Sequence, residues 1–209
     1  MKNPKLFLVS APSGAGKSSL IDAVLASAKQ SDLALELSIS YTTRSPRKGE
    51  SNGNQYFFIS EEDFIDKKNS NFFLEYAKVH GNWYGTSVDF VKSKLSSGIN
   101  LILEIDVQGF RQINELDIKY ESIFILPPSI YSLEERIKSR GDEDIESINL
   151  RLKNAKDELA YAKEYKHIII NDSFEDAEKE LFNIIAQENS ANKQNIEEVQ
   201  QFLAQLLSY

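Results

Sequence analysis

Short uninterrupted apolar runs recur along the chain, separated by segments with helical spacing. Leu6-Phe7-Leu8-Val9, Leu101-Ile102-Leu103, Ile123-Phe124-Ile125-Leu126 and Ile168-Ile169-Ile170 are four such runs. Runs of this length, bounded by polar turns, predict strands buried on both faces. The first strand covers 6–10 and a helix follows over 17–29. Later come a helix over 88–97 closed by Gly98, a strand over 101–106, and a strand over 123–126 stopped by Pro127-Pro128. A helix over 129–140, a charged break at Gly141-Asp142-Glu143-Asp144 and a long helix over 145–166 come next. A last strand, 167–170, ends at Asn171-Asp172, before a helix over 174–187. Ile196, Val199, Phe202, Leu203, Leu206 and Leu207 mark a terminal amphipathic helix over 192–208.

The stretch 35–88 has another texture. Residues 35–43 are β-rich and partly alternating, and they run into Arg44-Ser45-Pro46-Arg47-Lys48-Gly49-Glu50. Residues 56–59 form a strand. Ser60-Glu61-Glu62-Asp63 opens a short helix with a capping signal. Residues 72–80 and 83–86 form short strands around Gly81-Asn82. The expected fold is therefore α/β: a three-layer parallel sheet with an inserted β-rich lobe. The expected division is one domain over 1–209, with core 4–34 and 89–190, lobe 35–88, a lid at about 136–150 and the C-terminal helix. Ligands in such sheets bind at the carboxyl ends of the strands. Ser10, Asp106, Pro127 and Asn171 all lie there.

Composition narrows the function. The 209 residues carry a net charge of −8, which argues against nucleic acid as a partner of the whole surface. There are no cysteines and two histidines, so thiolate and histidine-cluster metal sites are not expected. No stretch approaches the roughly 20 apolar residues of a membrane span. No signal peptide is seen, and the chain is expected to be soluble and cytoplasmic. Oligomeric state stays open; the terminal helix could pack on its own core or join a second copy.

Between the first strand and first helix lies Ala11-Pro12-Ser13-Gly14-Ala15-Gly16-Lys17-Ser18. A glycine turn ending in Lys-Ser, after a strand and before a helix, is the context of a P-loop. Such a turn aims backbone N–H groups into one hollow, and the helix adds its positive end. Lys17 would reach the β- and γ-phosphates of ATP, and the Ser18 hydroxyl would ligate Mg²⁺. Ala11 stands where the pattern usually has glycine, so the first turn should use ordinary torsions. Asp106-Val107-Gln108-Gly109 fits the D-x-x-G of a GTPase switch, but Asn192-Lys193-Gln194-Asn195 lacks the aspartate of N-K-x-D, and that reading is rejected. In the lobe, Arg44 and Arg47 lie three apart beside a proline; two planar donor forks suit a phosphate, although any two arginines also suit a solvated turn.

The set A-P-S-G-A-G-K-S-S, S-Y-T-T-R-S-P-R-K-G-E, N-Q-Y-F-F, F-L-E-Y-A, N-W-Y-G-T and L-E-I-D-V-Q-G, in this order, resembles bacterial guanylate kinases from about residue 5 to 187. The resemblance implies transfer of the γ-phosphate of ATP to GMP, with Mg²⁺, in purine metabolism. It implies that Arg44 and Arg47 hold the GMP phosphate with the hydroxyls of Tyr56 and Tyr84. Glu75 would face the guanine N1–H and amino group. Ser40 and Thr86 would also contact the base, and Asp106 would support the amino group. Glu104 stands where the family often has aspartate and would act near Mg²⁺ through water. Arg136, Arg140 and Arg151 would approach the adenine or the transferring phosphates; Arg136 and Arg151 also suit helix-surface ion pairs. Asn171 would touch the ATP nucleoside, or cap the helix after it. Scaffold domains of similar fold bind peptides instead, but they degenerate the P-loop, which is intact here, and the chain leaves no room for accessory domains. Another monophosphate as acceptor is the remaining rival.

Overall fold

The computed structural model describes residues 3–79, 81–139, 145–187, 201–204 and 206. His80, Arg140, the charged break at 141–144 and most of the expected terminal helix lie outside the described residues.

Five strands form the larger sheet, in the order β2-β7-β1-β8-β9. They are β1 (Leu6–Ser10), β2 (Leu35–Leu37), β7 (Asn100–Glu104), β8 (Tyr120–Leu126) and β9 (His167–Ile170). β2 pairs parallel to β7, and β8 parallel to β9. All five residues of β1 are buried, as are the last five of β8. That is why these strands read as unbroken apolar runs, since helices cover both faces of a parallel sheet.

The smaller sheet has the order β4-β3-β6-β5, from β3 (Ser40–Thr42), β4 (Tyr56–Phe58), β5 (Phe73–Val79) and β6 (Asn82–Ser87). Its hairpin β5–β6 is antiparallel, with a register shift between Phe73 and Glu75. The expected lobe is thus entered at Ser40; Leu35–Leu37 belongs to the parallel sheet. The break falls at Ser38-Ile39, where the Ser38 N–H still donates to the Ile102 carbonyl.

The helices are α1 (Lys17–Gln30), α2 (Glu61–Asn69), α3 (Val88–Ser96), α4 (Val107–Asn114), α5 (Ile130–Lys138), α6 (Ile145–Leu159) and α7 (Phe174–Ala186). Three differ from the sequence expectation. Helix α4 has no counterpart in it: eight residues with a glycine inside give a weak signal. Asp106 accepts from the Gln108 and Gly109 N–H groups and starts α4, while Phe110 and Ile113 bury its inner face. The strand expected to reach Asp106 consequently stops at Glu104. Helix α6 ends at Leu159, not 166. A 3-10 turn follows at Ala162–Glu164, and Tyr165 turns extended so that its ring meets Phe124 edge-on at 5.0 Å. The helix after β9, α7, is capped by Ser173, whose hydroxyl accepts from the Asp176 N–H, so Asn171 is not its cap.

By packing, the chain divides into two compact units. One takes the chain up to Leu8 and Ala34–Tyr120; the other takes Val9–Leu33 and the chain from Glu121 onward. The first holds the smaller sheet with α2, α3 and α4. The second holds α1 against α7 and α5 against α6, where Leu133, Ile137 and Ala155 form a buried cluster. Among the described residues no helix is long and apolar enough to cross a membrane.

Candidate active site

The phosphate loop belongs to the second unit. It is built from backbone torsion more than from charge. Gly14 has φ +92° and Gly16 φ +93°, in the left-handed region that disfavours a side chain. Space forbids one as well: a Cβ on Gly16 would lie 2.5 Å from Asn171 Nδ2. Ala11 is not among the residues with positive φ, as its sequence requires. The Ala15 N–H closes the turn on the Pro12 carbonyl at 3.0 Å.

Two side chains brace this loop from within its own unit. Asn171, 4% exposed, donates from Nδ2 to the Ala15 carbonyl at 2.8 Å, while its own N–H bonds the Leu126 carbonyl. It therefore holds the loop. Arg151 donates from Nη2 to Ser13 Oγ at 2.9 Å. The ideal Cβ position of Gly16 is 4.0 Å from Arg136 Nη1, which puts that guanidinium beside the loop as well. Two of the three expected arginines thus sit at the phosphate loop, and Arg140 is outside the described residues.

Lys17 and Ser18 open α1. No side chain caps this helix and its first turn carries no acid. By contrast Ser60, Ser87, Asp106, Ser129 and Ser173 cap α2, α3, α4, α5 and α7. A helix start with neither a side-chain cap nor an acid presents a positive end that suits an anion.

The other candidate residues lie in the first unit and use side chains. Arg44 Nη2 donates to Glu50 Oε1 at 2.9 Å and Nη1 to the Ser45 carbonyl at 2.8 Å. The other Glu50 oxygen accepts from the Arg47 N–H at 2.7 Å. One carboxylate thus fixes both ends of the arginine turn. The shared hydrogen bond raises the Arg44 pKa and lowers that of Glu50. The Arg44 guanidinium carbon lies 5.4 Å from the Tyr56 ring centre. Tyr56 and Tyr84 meet edge to face at 5.8 Å. Burial first, then the negative charge of Glu104, pushes the Tyr56 hydroxyl up to about 12, so it remains a proton donor at neutral pH. Arg44, Tyr56 and Tyr84 therefore converge; Arg47 is exposed at the turn.

Glu75 is the most perturbed group. It is 5% exposed, and its Oε1 accepts from Thr86 Oγ1 at 2.6 Å. Ser40 Oγ lies 3.4 Å from the same threonine oxygen. Burial raises the Glu75 pKa to about 7; the Thr86 hydrogen bond opposes the shift and the Asp106 charge adds to it. A buried carboxylate flanked by two hydroxyls and a second carboxylate is an acceptor array made for a ligand with adjacent N–H donors.

Sequence reading did not single out Glu50 or the loop-bracing contact of Asn171. Glu50 has a local signal, since it closes the turn that begins at Arg44. Asn171 has none, because Ala15 is 156 positions away.

Mg²⁺ binds oxygen and commonly takes only one or two protein ligands, with substrate phosphates and water completing its shell. Ser18 offers such an oxygen in the first turn of α1 and Glu104 another at the end of β7. Among the described residues no group of three His, Cys, Asp or Glu side chains could cage an ion. Each of these oxygens taken singly suits an ion that arrives with a nucleotide and brings the rest of its shell.

Comparison with known proteins gives a consistent result. The family model described as guanylate kinase matches residues 3–188. The guanylate kinase of Hahella chejuensis is 46% identical over 188 residues, covering 90% of this chain and 88% of that protein. That of Haemophilus influenzae is 44% identical over 209 residues, covering 98% and 100%. The crystal structure of guanylate kinase from Anaplasma phagocytophilum matches with a TM-score of 0.70 at 26% identity, over 96% of both chains. On this combination of loop, acceptor array and similarity, the chain belongs to the guanylate kinase family.

Proposed function

We propose that this chain transfers the γ-phosphate of ATP to GMP, giving ADP and GDP, in the recycling of purine nucleotides. The observation that carries the choice of acceptor is the buried Glu75 with its Thr86 partner. As a carboxylate it accepts from the guanine N1–H and amino group together. Adenine offers an acceptor at N1, which would face the carboxylate unpaired. Ser40 and Asp106 complete this base site. Arg44, Arg47, Tyr56 and Tyr84 are assigned to the GMP phosphate, with Glu50 holding the Arg44 guanidinium and the Arg47 backbone N–H.

An oxygen of the GMP phosphate forms the new bond to the γ-phosphorus, and the bond from that phosphorus to the β–γ bridging oxygen breaks, leaving ADP. No general base is required, because the nucleophile is already anionic. The barrier is the approach of two anions. Lys17 and the arginines 44, 136, 140 and 151 are assigned to offset that repulsion and to stabilise the transferring charge. Residues 11–18, braced by Asn171, bind the donor phosphates. Mg²⁺, held by Ser18 directly and by Glu104 through water, would supply further charge neutralisation at the phosphates.

The test is a coupled assay of ADP release with ATP and Mg²⁺, offering GMP, AMP, CMP and UMP in parallel. ADP formed with GMP alone is the expected result. Equal turnover with AMP would overturn the base-reading assignment, and folded protein inactive with all four would overturn the kinase assignment.

A further inference from the structure

Helix α4 contains a glycine that its own backbone does not need. Gly109 is not among the residues of positive φ, and it lies inside a regular helix, where glycine is about 1 kcal/mol worse than alanine. The reason for it lies opposite. A Cβ on Gly109 would sit 2.5 Å from Glu75 Oε2 and 3.2 Å from Glu75 Cδ. The carboxylate occupies the space where an alanine methyl would be.

One turn further along the same face, Gln112 meets the residue after Glu75. The Tyr76 N–H donates to Gln112 Oε1 at 3.1 Å, and Gln112 Nε2 donates to the Tyr76 carbonyl at 2.6 Å. Among the described residues strand β5 is the last in its sheet, and this edge has no neighbouring strand. The Gln112 carboxamide stands in for one peptide of that missing strand. It does so beside the register shift between Phe73 and Glu75, where the pairing of β5 with β6 is irregular. Bulges re-aim side chains, and they hold one register only when their flanks are fixed. On one flank β6 pairs Tyr76 with Gly85; on the other, Gln112 holds both polar groups of the Tyr76 backbone.

We propose that Gly109 and Gln112 are positioning residues for guanine recognition: the first makes room for the Glu75 carboxylate and the second fixes the strand that carries it. The inference rests on the guanine-reading role proposed for Glu75. It makes α4 part of the specificity apparatus although neither residue is assigned a contact with the nucleotide.

The test compares Gly109→Ala, Gln112→Leu and Glu75→Gln with the parent protein. The readouts are kcat/KM for GMP and for inosine monophosphate, which lacks the amino group, and GMP affinity by calorimetry without ATP. Gly109→Ala is expected to lower the GMP-to-inosine-monophosphate ratio about tenfold, and Gln112→Leu about threefold, through lost pairing at the amino group. Adding Glu75→Asp to Gly109→Ala shortens the carboxylate by one methylene and should recover part of the ratio. A variant that merely unfolds a fraction of the protein lowers both substrates equally and leaves the ratio where it was. If Gly109→Ala does not fold, Gln112→Leu carries the test. An unchanged ratio in the folded variants, with Glu75→Gln losing it, would overturn the positioning role alone. An unchanged ratio in Glu75→Gln would overturn the guanine reading, and this inference with it.

Discussion

The phosphate loop and the acceptor array solve different recognition problems with different parts of the chain. The loop uses backbone: two left-handed glycines, an uncapped helix start, and a buried amide from Asn171 that holds the Ala15 carbonyl. The acceptor array uses side chains, and at its centre burial raises the pKa of the Glu75 carboxyl to about 7. A triphosphate presents many equivalent oxygens, so a ring of N–H donors and mobile positive charge suffices. A base edge presents a specific order of donors and acceptors. Reading it takes a fixed, dry acceptor, and burying that acceptor costs stability. The loop is therefore expected to be sensitive in rate and the array in selectivity.

The largest expected effect is at Lys17. Lys17→Ala removes the lysine assigned to the β- and γ-phosphates and should lower kcat by about a hundredfold to a thousandfold. GMP affinity, measured by calorimetry without ATP, should stay within experimental scatter, because the acceptor residues belong to the other unit. A variant that loses GMP affinity as much as turnover would break the division of labour between the two sites.

That division was partly legible in the sequence. The loop is contiguous, its glycines and Lys-Ser lie between an apolar run and a helical pattern, and its torsions followed from residue types. Four of the five core strands also announced themselves, because burial on both faces leaves an unbroken apolar run; β2, only partly buried, did not. What the sequence concealed depends on tertiary partners. Helix α4 is short and contains Gly109, whose justification is a carboxylate 34 positions away in sequence. Residues 35–43 read as one β stretch but are shared between two sheets, since a two-residue break carries no turn signal. Helix α6 stops at Leu159 because Tyr165 must reach Phe124, which helical propensity does not register. The guanine array came from resemblance; among its members only Asp106 had a position the sequence marked, and it lies past the strand end, at the start of α4.

Glu75 carries the next effect, and it acts in opposite directions on function and stability. Glu75→Gln places an amide donor where two acceptors are needed, and should lower GMP kcat/KM about a hundredfold or more while narrowing the preference over AMP. In the parent protein, GMP binding should weaken as pH falls from 8 to 6, because protonated Glu75 cannot accept from both guanine donors. The GMP phosphate titrates in the same range, so the decisive quantity is the difference between parent and Glu75→Gln profiles. For stability, the folded pKa of about 7 lies above the ordinary glutamate value of 4.5. The native state thus binds the proton more tightly than the unfolded chain. The ionised carboxylate lowers stability progressively between these two values, by at most about 3 kcal/mol above pH 7, and contributes no such loss below pH 4. Glu75→Gln should therefore raise the denaturation midpoint at pH 8 more than at pH 4. Equal shifts at both pH values would mean that Glu75 is not a strained carboxylate in the free protein.

The smallest effect sharpens the contrast between helix starts. Helix α2 begins with Ser60, whose Oγ accepts from the Asp63 N–H at 3.0 Å, and its first turn holds Glu61, Glu62 and Asp63. Its positive end is already satisfied within the chain, whereas α1 has neither a side-chain cap nor an acid. Ser60→Ala should lower unfolding free energy by about 1 kcal/mol, the usual value of such a cap. Phe64 remains packed on Phe73 at 4.4 Å and on Trp83 at 5.7 Å, so the loss should stay confined to the helix start. Denaturant titration reads the free energy, and KM values for ATP and GMP read the sites. A fall in stability with both KM values unmoved would show that capping at α2 is purely structural. On the proposed reading, the missing side-chain cap at α1 serves the ligand, and bound phosphate should add stability at that helix start.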